Sequence, residues 1–566
     1  MPTPTPTPAR RTPDLVEIHL ATAPGDLVHY DHAKLISALK PYGVSDPSTV
    51  LVETDGAGGA ILTIYRRPPL ATVPAARGED LVMDPHGYIT VGRYHDGEPA
   101  QMRLYVPGSG AQRSVVFGTT GAGKSRALQL LLAAEKRSGV VSWLADLKAG
   151  QSVPEARGNV DVRATTQEGA VLLMQAAIWE AEDRMTRYTA MGRSTFVINR
   201  PDRLLSVRVD EANRMLAASG PYRGVGTYYL ADAGRAGRSV GVGLGLAAQA
   251  AHVEELGGSD TLRAMLREGD VVLLRWSSGV MAGLVGDGIL PEDAVLVPIP
   301  RTDAPRRLTS RFDRAPGARP PGASTGGMAY LLGSHRPSTL MRFHRVGSYG
   351  EVDGPDPEIL DLYGPGHPPT LASISPRLAG WYDLARIDGQ LDRWAAQLPD
   401  IAKMIADKDS SLGRNQVIIA AAQHLITTAR PAETVTLTTP QPPTDTSDVG
   451  QEQEQGGDTV AGQPPAAAAA AAPPPAVVPA GIPHVPDTPA PGNGQRTAAF
   501  RVLAALTDGP LDKQQLLNAL AADGGRELSV SRVGAVLSEL TRAGRISSPE
   551  RGRYQLPDRP DPDTGD

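Results

Sequence analysis

The chain has 566 residues, 41% of them hydrophobic and only 4% aromatic, so it is long enough for three or four units with aliphatic cores. Its formal net charge of −6 argues against a uniformly basic nucleic-acid coat, while leaving room for a local basic surface. The absence of cysteine excludes disulfides and cysteine-based zinc sites, and the 11 histidines form no H-E-x-x-H pattern.

Residues 1–13, a Thr-Pro repeat followed by Arg10 and Arg11, read as a disordered tail. They contain no apolar signal core. No stretch reaches the roughly 18 apolar residues of a membrane span. The sequence therefore reads as cytoplasmic, compatible with a peripheral place at the membrane through a membrane-protein partner. Residues 14–107 combine strand-like runs at 50–52, 60–65, 88–92 and 101–105 with a helical stretch at 32–40, which predicts a small α/β module. Residues 108–350 alternate short apolar strands with longer amphipathic stretches, the pattern of a parallel sheet covered by helices. Residues 351–435 read as a mainly helical appendage. From 436 to 495 the composition turns Pro-, Ala- and Gln-rich, as in a flexible linker. Residues 496–557 return to globular patterning, and 558–566 form a tail.

The strongest motif is Gly118, Thr119, Thr120, Gly121, Ala122, Gly123, Lys124 and Ser125, which fits G-x-x-x-x-G-K-[ST]. It follows the apolar run 115–117 and precedes a helical stretch at 126–134. In such a P-loop the backbone N–H groups and the helix N-terminus cradle ATP phosphates. Lys124 reaches the β- and γ-phosphates and Ser125 holds Mg²⁺. A second apolar strand, 205–209, ends in Asp210 and Glu211. Asp210 is expected to order the Mg²⁺ shell and Glu211 to polarise the attacking water. Two further strands, 140–145 and 242–247, end in Asp146-Leu147-Lys148 and in Ala248-Gln249. A polar residue such as Gln249 at a strand's carboxyl end can touch the γ-phosphate and report its loss.

Past the linker, helical stretches at 497–506, 513–521 and 530–543 precede two short strands around 547–553, the outline of a winged helix. Val533, Val536, Leu537 and Leu540 form the core stripe of the third helix, with Ser529 as its N-cap. Residues 526–553 hold six arginines and three glutamates, about +3 against the chain's −6. Ser531 and Arg532 would face a major groove, with Arg551 and Arg553 on the wing near phosphate or the minor groove. Protein contact is the alternative use of such a module.

Taken together, these elements resemble the FtsK/SpoIIIE group of the FtsK–HerA motors over roughly residues 88–335. The similarity lies in the P-loop, the strand end Asp146-Leu147-Lys148, and the acidic helix from Glu180 to Arg187-Tyr188. It continues in the Asp210-Glu211 strand, in Arg238-Ser-Val-Gly241-Val-Gly-Leu244 running into Ala247-Ala-Gln249, and in the strand 271–274 followed by Ser277 and Ser278. The sequence departs from that family at Gly243, Ala248 and Val271, where the family carries His, Thr and Arg. The resemblance implies a P-loop RecA-like α/β motor, a homo-hexameric ring that moves double-stranded DNA with ATP and Mg²⁺, and a linked winged helix that reads DNA. It also implies an arginine finger supplied in trans, for which Arg238, Arg235 and Arg267 are candidates. The missing membrane-spanning anchor favours a mobile-element transfer protein of the kind found in mycelial bacteria. A protein-secretion ATPase of the same superfamily and an ATP-switched DNA-binding regulator remain alternatives.

Overall fold

The structure, a computed structural model, describes residues 5–429 apart from positions 24, 25, 27, 45, 56, 57, 351, 409 and 410 and the stretches 250–255, 276–295, 303–323 and 334–338. Beyond 429 it describes residues 502, 504–506, 509–522, 533, 537, 540, 546, 547 and 553–555. Contacts divide the chain into two compact units, Met1–Pro442 and Pro443–Asp566. No helix among the described residues is long and apolar enough to cross a membrane.

The first unit begins with a four-stranded antiparallel sheet of order β1-β2-β4-β3, built from β1 (Thr5–Arg11), β2 (Leu15–Ala21), β3 (Val50–Thr54) and β4 (Gly59–Tyr65). Helix α1 (His32–Leu39) is capped by Asp31, which accepts from Ala33 N at 2.9 Å and Lys34 N at 3.1 Å. Ile36 of α1 packs with Val50 and Leu62 of the sheet. Residues 5–11, expected as a tail, are thus an edge strand. Prolines fit there because an edge strand leaves one row of its backbone groups unpaired.

The second sheet has ten strands, in the order β11-β10-β12-β13-β9-β14-β15-β16-β5-β6. Its elements are β5 (Tyr88–Tyr94), β6 (Pro99–Arg103), β9 (Ser114–Gly118), β10 (Val141–Asp146), β11 (Val162–Ala164), β12 (Leu205–Asp210), β13 (Val242–Ala248), β14 (Asp270–Leu274), β15 (Met328–Leu332) and β16 (Thr339–Phe343). The short pair β7 (Tyr105–Val106) and β8 (Gly110–Ala111) leads into β9. The six strands from β11 to β14 are parallel, and the remaining four are antiparallel. Every residue of β9, β10, β12, β13 and β14 is buried, as expected for a parallel sheet covered on both faces. The fold is α/β with a large, mostly parallel sheet at its core. The boundary expected at 107 falls instead between β4 and β5, because β5 and β6 complete the antiparallel edge of this sheet. Alternating strand patterns reveal a strand without revealing which sheet receives it.

The covering helices are α2 (Lys124–Arg137), α3 (Gln167–Ala190), α4 (Ala212–Leu216), α5 (Arg223–Ala236) and α6 (Asp260–Arg267). They are joined by α7 (Pro357–Tyr363), α8 (Ala379–Ala385), α9 (Gln390–Ala395), α10 (Leu398–Lys408) and α11 (Arg414–Thr428). The last five were expected as an appendage, but they belong to the same core. Trp381 of α8 packs on Trp143 of β10, ring centroids 5.4 Å apart. Asp161 accepts from Trp143 Nε1 at 3.0 Å, Tyr382 Oη at 2.7 Å and Arg386 Nε at 2.9 Å. Asp392 of α9 accepts from the backbone N of Thr165 and Thr166 at the start of α3.

In the second unit, Val502, Leu506, Leu516, Leu520, Val533, Leu537, Leu540 and Ile546 form one apolar cluster. Helix α12 (Lys513–Ala522) follows β17 (Leu511–Asp512), which pairs antiparallel with β18 (Arg553–Tyr554). Ser547 bridges Gln555 in the same sense. Ser529 and Val536 lie outside the described residues.

Candidate active site

The parallel strands end along one edge of the large sheet. In register, Asp146 lies opposite Asp210, Ala248 opposite Phe117, and Leu274 opposite Gly118. Open α/β sheets hold ligands outside this carboxyl edge. Most of the nucleotide-site residues expected from sequence converge there.

Between β9 and α2 the loop exposes Thr119, Thr120 and Gly121 and buries Ala122. Gly123, at φ 111°, turns the chain into α2. A side chain at this position would be strained and would press on Gly327, whose N donates to Ala122 O at 2.9 Å. No side chain caps α2, so its amino end is open to an anion.

Lys124, 8% exposed, donates from Nζ to Glu211 Oε1 at 2.7 Å. Gln249 Nε2 donates to the other oxygen, Oε2, at 3.1 Å. Glu211 directly follows β12 and takes φ 52°, a left-handed conformation rare outside glycine. Burial alone would raise its carboxyl. The hydrogen bond and charge of Lys124, helped by Gln249 and Lys148, outweigh this and hold it below the usual carboxylate range. Glu211 is therefore an anion at neutral pH, pointed at the P-loop lysine.

Asp210 is fully buried, and neither carboxylate oxygen has a hydrogen-bond partner among the described residues. Burial pushes its carboxyl up, the Ser152 hydroxyl and the charge of Lys124 oppose this, and the charges of Asp146 and Glu211 add to it. An orphaned buried carboxylate is costly unless a cation joins it. It fits Mg²⁺, which Asp210 and the half-buried Ser125 would hold. When bound, Mg²⁺ neutralises charge on the phosphate oxygens. No cluster of three or more acidic or histidine ligands exists among the described residues, so a cation here relies on oxygens from a ligand. Asp146 serves differently. Its oxygens accept from the backbone N of Lys148 at 3.1 Å and Ser152 at 3.0 Å, which shapes the loop after β10.

One residue was missed in the sequence. Arg275 follows β14, the other neighbour of the P-loop strand, and is 8% exposed at φ 44°. A methyl group built on Gly121 would meet Arg275 Nη1 at 3.7 Å. Its Nη2 donates to Ser324 Oγ at 3.3 Å, its Nε has no partner, and no acidic group pairs with it among the described residues. The rule that pointed to Gln249, a polar residue at the carboxyl end of a strand beside the P-loop, points equally to Arg275.

Arg238 lies elsewhere. It precedes β13, at the amino ends of the parallel strands, so the structure does not bring it to Lys124 and Glu211. Arg235 is exposed on the last turn of α5, and Arg267 is half-buried at the end of α6. The acidic helix likewise packs at the amino ends. Arg187 and Tyr188 both reach Asp202 at 2.9 Å. In the second unit Arg553 is exposed on β18, whereas Ser531, Arg532 and Arg551 lie outside the described residues, as do Ser277 and Ser278.

No family model matches the chain, and no curated protein matches it. Among solved structures, the chain is similar to the pCW3 conjugation coupling protein TcpA, monomer form with ATPγS. The identity is 14% over 60% of this chain and 89% of that one, with a TM-score of 0.38. It is also similar to the cytoplasmic domain of the Thermomonospora curvata Type VII secretion ATPase EccC, with 19% identity, 53% of this chain and a TM-score of 0.38. There the chain spans 34% of the relative's length. A third, VirB4 of Thermoanaerobacter pseudethanolicus, gives 12% identity over 47% of this chain and 98% of that one, with a TM-score of 0.27.

Proposed function

We propose that the chain is an ATP-driven double-stranded DNA translocase of the FtsK/SpoIIIE kind. It works as a homo-hexamer in plasmid or mobile-element transfer, docked on a membrane protein and addressed to DNA by its C-terminal winged helix. The observation that carries this reading is the Lys124–Glu211–Gln249 chain beside the unpartnered Asp210. Before nucleotide arrives, Lys124 and Glu211 neutralise each other. A triphosphate competes for Lys124 and frees Glu211 to orient and deprotonate water. Gln249 then gains or loses its Glu211 contact with the state of the γ-phosphate and passes the difference into β13. Arg238 stands at the far end of β13, so an arginine finger from that position has to come from a neighbouring copy in a ring.

The test is ATPase rate with and without long duplex DNA. Long DNA should accelerate wild type in a length-dependent way. Lys124→Ala should abolish ATP binding, and Glu211→Gln should retain it while turnover falls by about 10²–10⁴-fold. Hydrolysis that ignores DNA length rejects the translocase. Stimulation by a secreted protein instead of DNA selects the secretion motor.

A further inference from the structure

An open pocket of about 410 Å³ adjoins the P-loop on the β15–β16 side, away from Glu211 after β12. One wall is the first turn of α2, from Gly123 to Arg126 and Ala127. The facing wall is the turn before β15, with Gly326 and Gly327, and the segment after β16, with Arg345 and Tyr349. These two walls are far apart in sequence and meet because β16 is part of the same sheet as β9.

We infer that this pocket receives the base and ribose of a nucleoside triphosphate, with Tyr349 as the stacking platform. The inference rests on the nucleotide reading above. With the terminal phosphates at Lys124, the phosphate chain runs along the amino end of α2, and its α-phosphate lies nearest the residues after Ser125. The nucleoside then projects past Arg126 into the pocket. Arg126 is half exposed and only loosely paired, 3.8 Å from Asp356, so its guanidinium is available to an α-phosphate or ribose oxygen.

Tyr349 is 84% exposed, so packing in the core does not account for an aromatic ring here. Its ring is nevertheless held. The Arg345 guanidinium carbon sits 4.1 Å from the ring centroid, and Arg345 itself donates to Gly347 O and, at 2.9 Å, to Glu358 Oε2. The guanidinium covers one face of the ring and leaves the other for a planar base. Base-on-tyrosine stacking tolerates any base and is strong enough to matter for affinity.

The test is calorimetric titration of the full chain with the magnesium complexes of AMP-PNP, a non-hydrolysable ATP analogue, and of tripolyphosphate, which has no nucleoside. Tyr349→Ala should weaken AMP-PNP about tenfold and leave tripolyphosphate unchanged. Tyr349→Phe should keep the wild-type affinity for both. Because Tyr349 is exposed, neither variant should disturb folding. Unchanged AMP-PNP binding in Tyr349→Ala, or equal weakening of both ligands, overturns the base pocket. A wild-type chain that binds tripolyphosphate as tightly as AMP-PNP also overturns it, while the phosphate site stands. A wild-type chain that binds neither ligand removes the phosphate site, and the base pocket with it.

Discussion

The two ends of the large sheet handle buried charge in opposite ways. At the amino ends of the parallel strands, Arg184 of α3 has four partners. It binds Glu180 at 2.7 Å and the carbonyls of Arg203, Val240 and Gly241 at 3.0, 3.2 and 3.1 Å. Arg113 there donates to the Gly234 and Met265 carbonyls and to Glu268. At the carboxyl ends, among the described residues, neither Asp210 oxygen has a hydrogen bond of good geometry, Arg275 has no acid, and Lys124 and Glu211 depend chiefly on each other. Three of the four non-glycine residues with positive φ among the described residues, Ala149, Glu211 and Arg275, follow strand ends on this same side. At the amino ends the unpaired atoms, such as Glu180 Oε2 and Arg187 Nε, belong to groups whose other atoms are bonded to a partner. At the carboxyl ends strained backbone and a carboxylate with neither oxygen bonded persist where a ligand completes them.

This contrast predicts two opposite mutational signatures. The larger is at Arg184, which is fully buried. Arg184→Ala strands a buried Glu180 carboxylate and three carbonyls, so it should cost about 3–5 kcal/mol. Urea unfolding of the chain should report this as a lower midpoint, while the molecules that remain folded bind nucleotide normally. At Arg275 the signs reverse. Burial, reinforced by the nearby Arg301, disfavours its charge, so removing the cation relieves a cost. Arg275→Ala should leave the unfolding midpoint unchanged or higher, yet lower kcat/KM for ATP about tenfold by removing a positive charge beside the phosphates. A loss of stability in Arg275→Ala with unchanged kinetics would make it another structural arginine and break the comparison.

How much of this was legible beforehand depends on sequence distance. The P-loop and the Asp210-Glu211 strand end were readable because each motif lies within about eight consecutive residues, and strand–loop–helix context is local. The Lys124–Glu211 contact was not legible, because each residue reads as serving a different part of the ligand and β13 separates their two strands. Nor was Arg275, because nothing in the run 270–275 tells which strand β14 pairs with, and the Arg falls one residue past an apolar strand. Tyr349 and Arg345 read as ordinary loop residues until β16 brings them across from Arg126. Residues 351–435 read as a mainly helical appendage, but an amphipathic helix states only that it covers something. Trp143 and Asp161, which α8 covers, carry no mark of their partner in the sequence. Ser531, Arg532 and Arg551 rest on the sequence alone.

The smaller predicted effect on stability sits at an exception on the sealed side. Asp270 begins β14 at the amino end, fully buried, and the one hydrogen bond to its side chain among the described residues is from Arg103 N to Oδ2 at 2.7 Å. Burial raises its carboxyl from 3.8 to about 7, against the weaker opposing effect of Arg103. Between these two values the folded protein keeps a proton that the unfolded chain releases. Stability from this group therefore falls as pH rises through that window and is lowest above it. An amide cannot ionise, and its oxygen can still accept from Arg103 N. Asp270→Asn should thus gain thermal stability relative to wild type as pH goes from 5 to 8, with little further gain above 8. The gain should be about 2–3 kcal/mol, or a few degrees in Tm, smaller than the Arg184 loss. The quantity to follow is the difference in Tm between the two proteins across that range, since other groups titrate equally in both. A difference that stays flat from pH 5 to 8 would mean that Asp270 does not change protonation there.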